Sequence, residues 1–207
     1  MGGRITVESE SGRGSTFHFT VRLGLRQEAE GPLAPCDLSR LSRLRALVVN
    51  GQSDIGEMLV TMLGRLRMES VAVADSGAAF AALRQARADG RPRRFVLLDA
   101  TTPGGNVFDL AAKIAGQPDC GRPAVVLVTH AGRRGDVARC RKRGLAAYLT
   151  FPLSVTELAQ ALLMVLEGRS AAEGPQQVVT THLVREQLAA PVSGLQAAAG
   201  HTRAGGH

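Results

Sequence analysis

The sequence predicts a doubly wound α/β domain, a parallel sheet with helices on both faces. Two observations predict it. Short apolar runs alternate with helical patterns five times between residues 45 and 168, and capping residues and glycines fall at the joints. The apolar runs cover 46–49, 71–74, 95–98, 124–128 and 146–149. Unbroken runs of that length suit strands buried on both faces. After the first run, Ile55, Met58, Leu59, Met62, Leu63 and Leu66 recur at helical spacing, as do Val155, Leu158, Ala159, Leu162, Leu163 and Leu166 after the last. Ser154-Val-Thr-Glu157 forms a capping box. Gly90, Gly144 and Gly168 stand where helix ends favour a left-handed residue.

Around this middle zone the chain changes character. Residues 1–23 alternate as strands do, with Ile5, Val7, Phe17, Phe19 and Val21 on one face and a glycine turn between, which predicts a hairpin. Residues 24–44 contain Gly31, Pro32 and Pro35 and form a linker, with a short helix near 38–44. Residues 169–207, rich in Ala, Gly, Gln and His, are expected to be linker and disordered tail, without apolar periodicity after about Leu188.

Composition removes several function classes. The 207 residues are 44% hydrophobic and 21% charged, as in globular proteins. Three cysteines, Cys36, Cys120 and Cys140, are an odd set that suits free thiols in a reducing cytoplasm. No apolar run approaches the 18 or more residues of a membrane span, so no membrane insertion is expected. The net charge of +7 is nearly all arginine, since only Lys113 and Lys142 are lysines. A basic face can neutralise phosphates. With no Trp and one Tyr for base stacking, and no helix-turn-helix signature, nucleic-acid binding is nevertheless not expected.

In a doubly wound sheet, function gathers at the carboxyl ends of the strands. The third run ends in Asp99, a carboxylate able to act as a nucleophile toward phosphorus or to cap the next turn. The fourth ends in Thr129, whose hydroxyl can reach an anion held at Asp99. The fifth leads into Phe151-Pro152, a candidate cis peptide.

Across about 45–168 these residues resemble the receiver domain of response regulators and hybrid histidine kinases. Val-Leu-Leu-Asp99 with Pro103-Gly104 resembles the phosphoacceptor motif, Val128-Thr129 the switch hydroxyl, and Tyr148 the aromatic switch. The segment ending in Thr-Phe-Pro152 resembles one that the family ends in lysine-proline. The resemblance implies a flavodoxin-like (βα)5 fold of strand order 2-1-3-4-5, with phosphotransfer from phosphohistidine to Asp99. It also implies a signalling face formed by the fourth helix, fifth strand and fifth helix.

Two departures stand out. Asn50 and Gly51 occupy the family's acidic pair, and Phe151 occupies the place of its phosphate-pairing lysine. The acidic pair serves Mg²⁺, a hard cation that prefers carboxylate oxygen. With Asp99 as the one obvious acidic ligand, only weak Mg²⁺ binding is expected. Phosphoryl transfer depends on charge neutralisation, so the expectation is a degenerate receiver. Its face around residues 139–143, Tyr148 and the helix 154–167 is expected to be locked, with the Phe151 ring packed over the site.

Residues 1–23 resemble the last strands of a histidine-kinase ATP-binding domain, with Gly12-Arg-Gly14-Ser-Thr16 as its second glycine box. The rest of that domain is missing, so ATP binding and enzymatic activity are not expected of the chain. The leading expectation is a docking module from a hybrid sensor kinase, partnered by a histidine kinase or a histidine phosphotransfer domain. Alternatives are a kinase component with residual ATP contact through Gly12 and Gly14, and a basic nucleic-acid-binding accessory. The segment from Val178 to Glu186 resembles the linker before a second receiver.

Overall fold

The structure, a computed structural model, describes residues 3–22, 38–50, 54–102, 106–170 and 177–189. Gly51, Pro103, Gly104, most of the predicted linker and the end of the tail lie outside these residues. The chain divides into two units, 1–31 and 32–207.

The first unit contains the predicted hairpin. Strands β1 (Ile5–Glu10) and β2 (Gly14–Phe19) pair antiparallel, with Ile5 opposite Phe19 and Val7 opposite Phe17. Gly12 and Gly14 take φ of 84° and 100° at the turn, a region L side chains avoid. The period of two puts Ile5, Val7, Phe17 and Phe19 on one face, and all four are exposed.

The second unit is built on one parallel sheet. Its elements are β3 (Arg45–Val49), α1 (Asp54–Arg65), β4 (Glu69–Val73), α2 (Ser76–Ala88), β5 (Phe95–Asp99), α3 (Val107–Gly116), β6 (Ala124–Thr129), α4 (Asp136–Lys142), β7 (Ala147–Thr150), α5 (Val155–Ser170), β8 (Val179–Thr180) and α6 (Thr181–Ala189). The strands lie in the order β4-β3-β5-β6-β7-β8, all parallel. The first five reproduce the expected 2-1-3-4-5.

Successive strand residues point to opposite faces, so the sheet feeds two cores. Val48, Leu97, Val126 and Leu149 meet Leu59 and Leu63 of α1 and Leu158 and Leu162 of α5. Leu47, Leu98, Leu127 and Tyr148 meet Leu83, Phe108, Ile114 and Cys140 on the other side. Strand β4 departs from the expected covered run. It lies at the edge, and Val71 is 43% exposed.

Three expectations about boundaries need correction. Residues 38–44 form turns rather than more than a stub of helix, with Leu41 fully buried beneath them. Gly168 does not end its helix, because α5 continues to Ser170. Residues 177–189 are neither linker nor tail, since they add β8 and α6 to the unit. Val179 and Thr180 pair with Ala147 and Tyr148, and Val178, Val179, Thr181 and Val184 are buried. The physical reason is the edge of β7, whose free backbone groups and flanking apolar surface accept a short apolar strand. The capping box forms as predicted: Ser154 N–H donates to Glu157 Oε2 at 2.7 Å and Glu157 N–H to Ser154 Oγ at 3.1 Å.

Candidate functional site

The carboxyl ends of β3, β5, β6 and β7 bring together Asn50, Asp99, Thr129 and the segment Thr150–Pro152. Asp99 closes β5 and is fully buried. Its Oδ1 accepts the Thr101 N–H at 2.8 Å, a short turn that aims the carboxylate back toward its own loop. Beside it Thr102, which the sequence did not single out, donates its hydroxyl to the Val49 carbonyl at 3.0 Å and ties the β5 loop to β3. The adjacent Thr-Thr pair was the signal available for it.

Asn50 lies against the first turn of α1. A methyl at Gly56 would fall 1.9 Å from its Nδ2 and 2.2 Å from its Cβ. Only glycine fits there. Gly56→Ala should therefore destabilise the protein by about 1–3 kcal/mol, as overpacking does, against a helix-propensity gain below about 1 kcal/mol. Thermal melting checks this, and an unchanged or higher midpoint would contradict the close packing of Asn50.

At β6, Thr129 Oγ1 donates to the Ala131 carbonyl at 3.4 Å and accepts its N–H at 3.2 Å. The hydroxyl is thus engaged by its own loop. The Phe151–Pro152 bond is cis, as expected. The Phe151 N–H donates to the Thr129 carbonyl at 2.9 Å, and its half-buried ring meets His130, with centroids 5.1 Å apart. The ring packs on the α1 and α5 side of the sheet and against His130.

Tyr148 is buried on the opposite face of β7. Its hydroxyl donates to Asp136 Oδ2 at 2.9 Å. Asp136, also buried, accepts the Arg133 N–H at 3.1 Å and faces Arg139 Nη1 at 3.5 Å. The Arg139 guanidinium lies 3.9 Å from the centre of the Phe108 ring. Burial first, and then the hydrogen bond to Asp136, push the Tyr148 hydroxyl up to about 12. Burial, reinforced by Asp136, pushes the Cys140 thiol up to about 12 as well, which makes it inert. A cleft of about 320 Å³ opens between α3 and α4, with Thr101, Phe108, Thr129, Arg133 and Tyr148 in its walls. Sequence reasoning missed Asp136, whose only signal was an acid in the first turn of α4.

The site is buttressed by α6. The Thr150 N–H donates to Thr181 Oγ1 at 2.8 Å, and Arg185 Nη2 to the Pro152 carbonyl at 2.8 Å. Arg185 Nε reaches Glu157 Oε1 at 2.5 Å. Burial works to raise the Glu157 carboxyl, but Arg185 and Ser154 outweigh it and hold the group below its ordinary range. A carboxyl depressed in the folded state contributes stability above its unfolded value and loses it as pH falls. Stability should therefore decline below about pH 4.5, and Glu157→Gln should flatten the acid limb. Denaturant midpoints measured from pH 6 to 3 check this; equal acid slopes in the two proteins would contradict it.

Mg²⁺ is the ion that receivers hold at this end of the sheet. Among the described residues no group of three or more His, Cys, Asp or Glu side chains is placed to hold a metal. Asp99 offers one carboxylate, and Asn50 a neutral amide pressed against Gly56. This donor set does not fit a hard octahedral cation that prefers carboxylates. Gly12 and Gly14 belong to the separate hairpin unit, where they serve its turn.

No family model matches the chain. It is 32% identical over 190 residues to the sensor histidine kinase AruS of Pseudomonas aeruginosa, covering 91% of this chain and 18% of that kinase. Among solved structures, the signal receiver domain of an HD domain-containing protein from Pseudomonas fluorescens Pf-5 is 25% identical. It matches 62% of this chain and 98% of its own length with a TM-score of 0.52. The second unit has the fold of response-regulator receiver domains. A CheY-like receiver domain protein from Methanospirillum hungatei JF-1, 19% identical, shares the fold over 64% of this chain and all of its own length, with a TM-score of 0.53. In this unit, β7 is the fifth strand of the shared fold, while β8 and α6 follow it. No helix among the described residues is long and apolar enough to cross a membrane.

Proposed function

We propose that this receiver is a docking and regulatory module of a cytoplasmic two-component phosphorelay, part of a hybrid sensor histidine kinase, with impaired phosphorylation at Asp99. Its partner in this reading is a histidine kinase or a histidine phosphotransfer domain. The observation that supports it best is what fills the charged positions of the family. An apolar ring, Phe151, in tilted contact with His130, stands where a lysine would meet the phosphoryl group. Asn50 stands at an acidic position, held against Gly56.

Transfer from phosphohistidine breaks an N–P bond and forms an O–P bond at Asp99, and charge neutralisation carries most of the catalysis. One unit-charge pair about 4 Å apart is worth about 4 kcal/mol at an effective dielectric of about 20. That alone is roughly a thousandfold in rate. The chain is expected to show little label after incubation with acetyl phosphate and Mg²⁺, read by intact mass. The combined variant Asn50→Asp, Gly51→Asp, Phe151→Lys should gain label that Asp99→Asn abolishes. Strong labelling of the unaltered protein at Asp99 would overturn the reading.

Docking, in this reading, uses the face of α4, β7 and α5. Tyr148 is turned in and tied to Asp136, which supports a face held in one arrangement without phosphate. Part of its basic patch is neutralised internally, since Arg143 pairs with Asp109 at 2.6 Å.

A further inference from the structure

The geometry points to a binding site for a small phosphate-class anion at the amino ends of β3, β4 and β5, formed by Arg45, Arg91 and Arg93 around Glu69. Asp99 terminates β5 at its other end, four residues beyond Phe95, or about 13 Å along the strand.

Arg45 opens β3, and the sheet register sets it directly opposite Glu69, which opens β4. Arg45 Nε and Arg91 Nη2 both donate to the same oxygen, Glu69 Oε2, at 2.9 and 3.1 Å. Arg93 stands in the same field, with Arg45, Glu69 and Arg91 all acting on it. Its Nε is buried and has no hydrogen-bond partner. Two guanidinium groups therefore hold one carboxylate while a third stands in its field, which leaves an excess of two positive charges and one buried donor unanswered. An orphaned buried donor is costly, and a bound acceptor removes that cost. Burial and the two neighbouring guanidinium groups hold Arg93 below its ordinary value, which marks a place short of negative charge.

A phosphate dianion has the matching charge, and its oxygens fit the planar forks of arginine. The same end of the sheet holds further arginines. The Arg94 N–H donates to the Arg45 carbonyl at 2.7 Å, and the Arg43 N–H to the Arg67 carbonyl at 2.9 Å. Their side chains add long-range attraction for an anion. Glu69 is the competitor: it holds Arg45 and Arg91 in place, and its charge weakens any anion that approaches them.

The test uses the full chain and inorganic phosphate, with sodium chloride at matched ionic strength as control. Phosphate should raise the melting temperature and shift the Arg93 Nε–H NMR signal, while chloride does neither. Arg91→Gln, at an exposed residue, should weaken the phosphate effect about tenfold. Glu69→Gln should strengthen it, because the competing charge is gone. A cluster that is only structural would show no such gain. Equal effects of phosphate and chloride, or a Glu69→Gln protein with unchanged or weaker phosphate response, would overturn the site. Pyrophosphate and a short DNA duplex distinguish the source of the phosphate group. Either binding in an Arg91-dependent way supports the site, and duplex binding indifferent to Arg91 and Arg93 counts against it.

Discussion

Removing residues 171–207 should lower the melting temperature by about 10–20 °C. The deleted stretch carries Val178, Val179 and Val184, all buried, together with Thr181, which answers the Thr150 N–H. Burial of a valine is worth about 1.5–3 kcal/mol. Three of them amount to about 5 kcal/mol, taken toward the low side because an unfolded chain already hides some of its apolar surface. In a domain of this size each kcal/mol moves the midpoint by about 2–4 °C. Circular dichroism melts of the full and shortened chains check the expectation. Limited proteolysis adds a second reading, with a resistant fragment ending near residue 189 rather than 168. Midpoints within about 3 °C of each other would show that β8 and α6 rest on the receiver without stabilising it.

Replacing Asp136 by asparagine should move the ionisation of the lone tyrosine down by about a unit or more. The chain has one tyrosine and no tryptophan, so phenolate absorbance reports on Tyr148 alone. In the unaltered protein the hydroxyl is raised from its ordinary value of 10 to about 12, by burial and then by Asp136. Asparagine keeps an acceptor but removes the negative charge that opposes phenolate. The raised value also fixes a pH dependence. Between about 10 and 12 the unfolded chain loses the proton while the folded one keeps it, so stability is full below pH 10 and falls across that window. The variant should lose less stability there, although it starts lower by about 1–3 kcal/mol for the weakened buried contacts to Tyr148, Arg133 and Arg139. An absorbance midpoint identical in the two proteins would remove the Asp136 contact from the account.

The strand and helix alternation was legible because strands buried on both faces must be apolar along their length, as 95–98 and 124–128 are. The ends of those strands were legible for the same reason: a polar residue closing such a run, Asp99 or Thr129, marks where the apolar interior of the sheet ends. Strand β4 was harder to read, because an edge strand needs no covered run. Strand β8 could not be read, since two residues carry no period and their position depends on the free edge of β7. Asp136 stayed hidden because its meaning lies in Tyr148, twelve residues later and on another element. The cluster around Glu69 was visible only as Arg93-Arg94. Its other members come from β3 and the turn after α2, and only the sheet register unites them.

The piece that completes the sheet is also the last described piece to leave the ribosome. Chains grow at about 5–20 residues per second. Twenty-eight residues separate the end of β7 at Thr150 from the start of β8 at Val179, an interval of roughly 1.4–6 s at that rate. For that time Ala147–Thr150 presents a bare backbone edge of the kind that recruits other chains. Its four residues make it a short template, and Thr150 ends it with a polar group. The nascent protein thus meets its greatest risk of mispairing late, just before Thr181 arrives to satisfy the Thr150 amide.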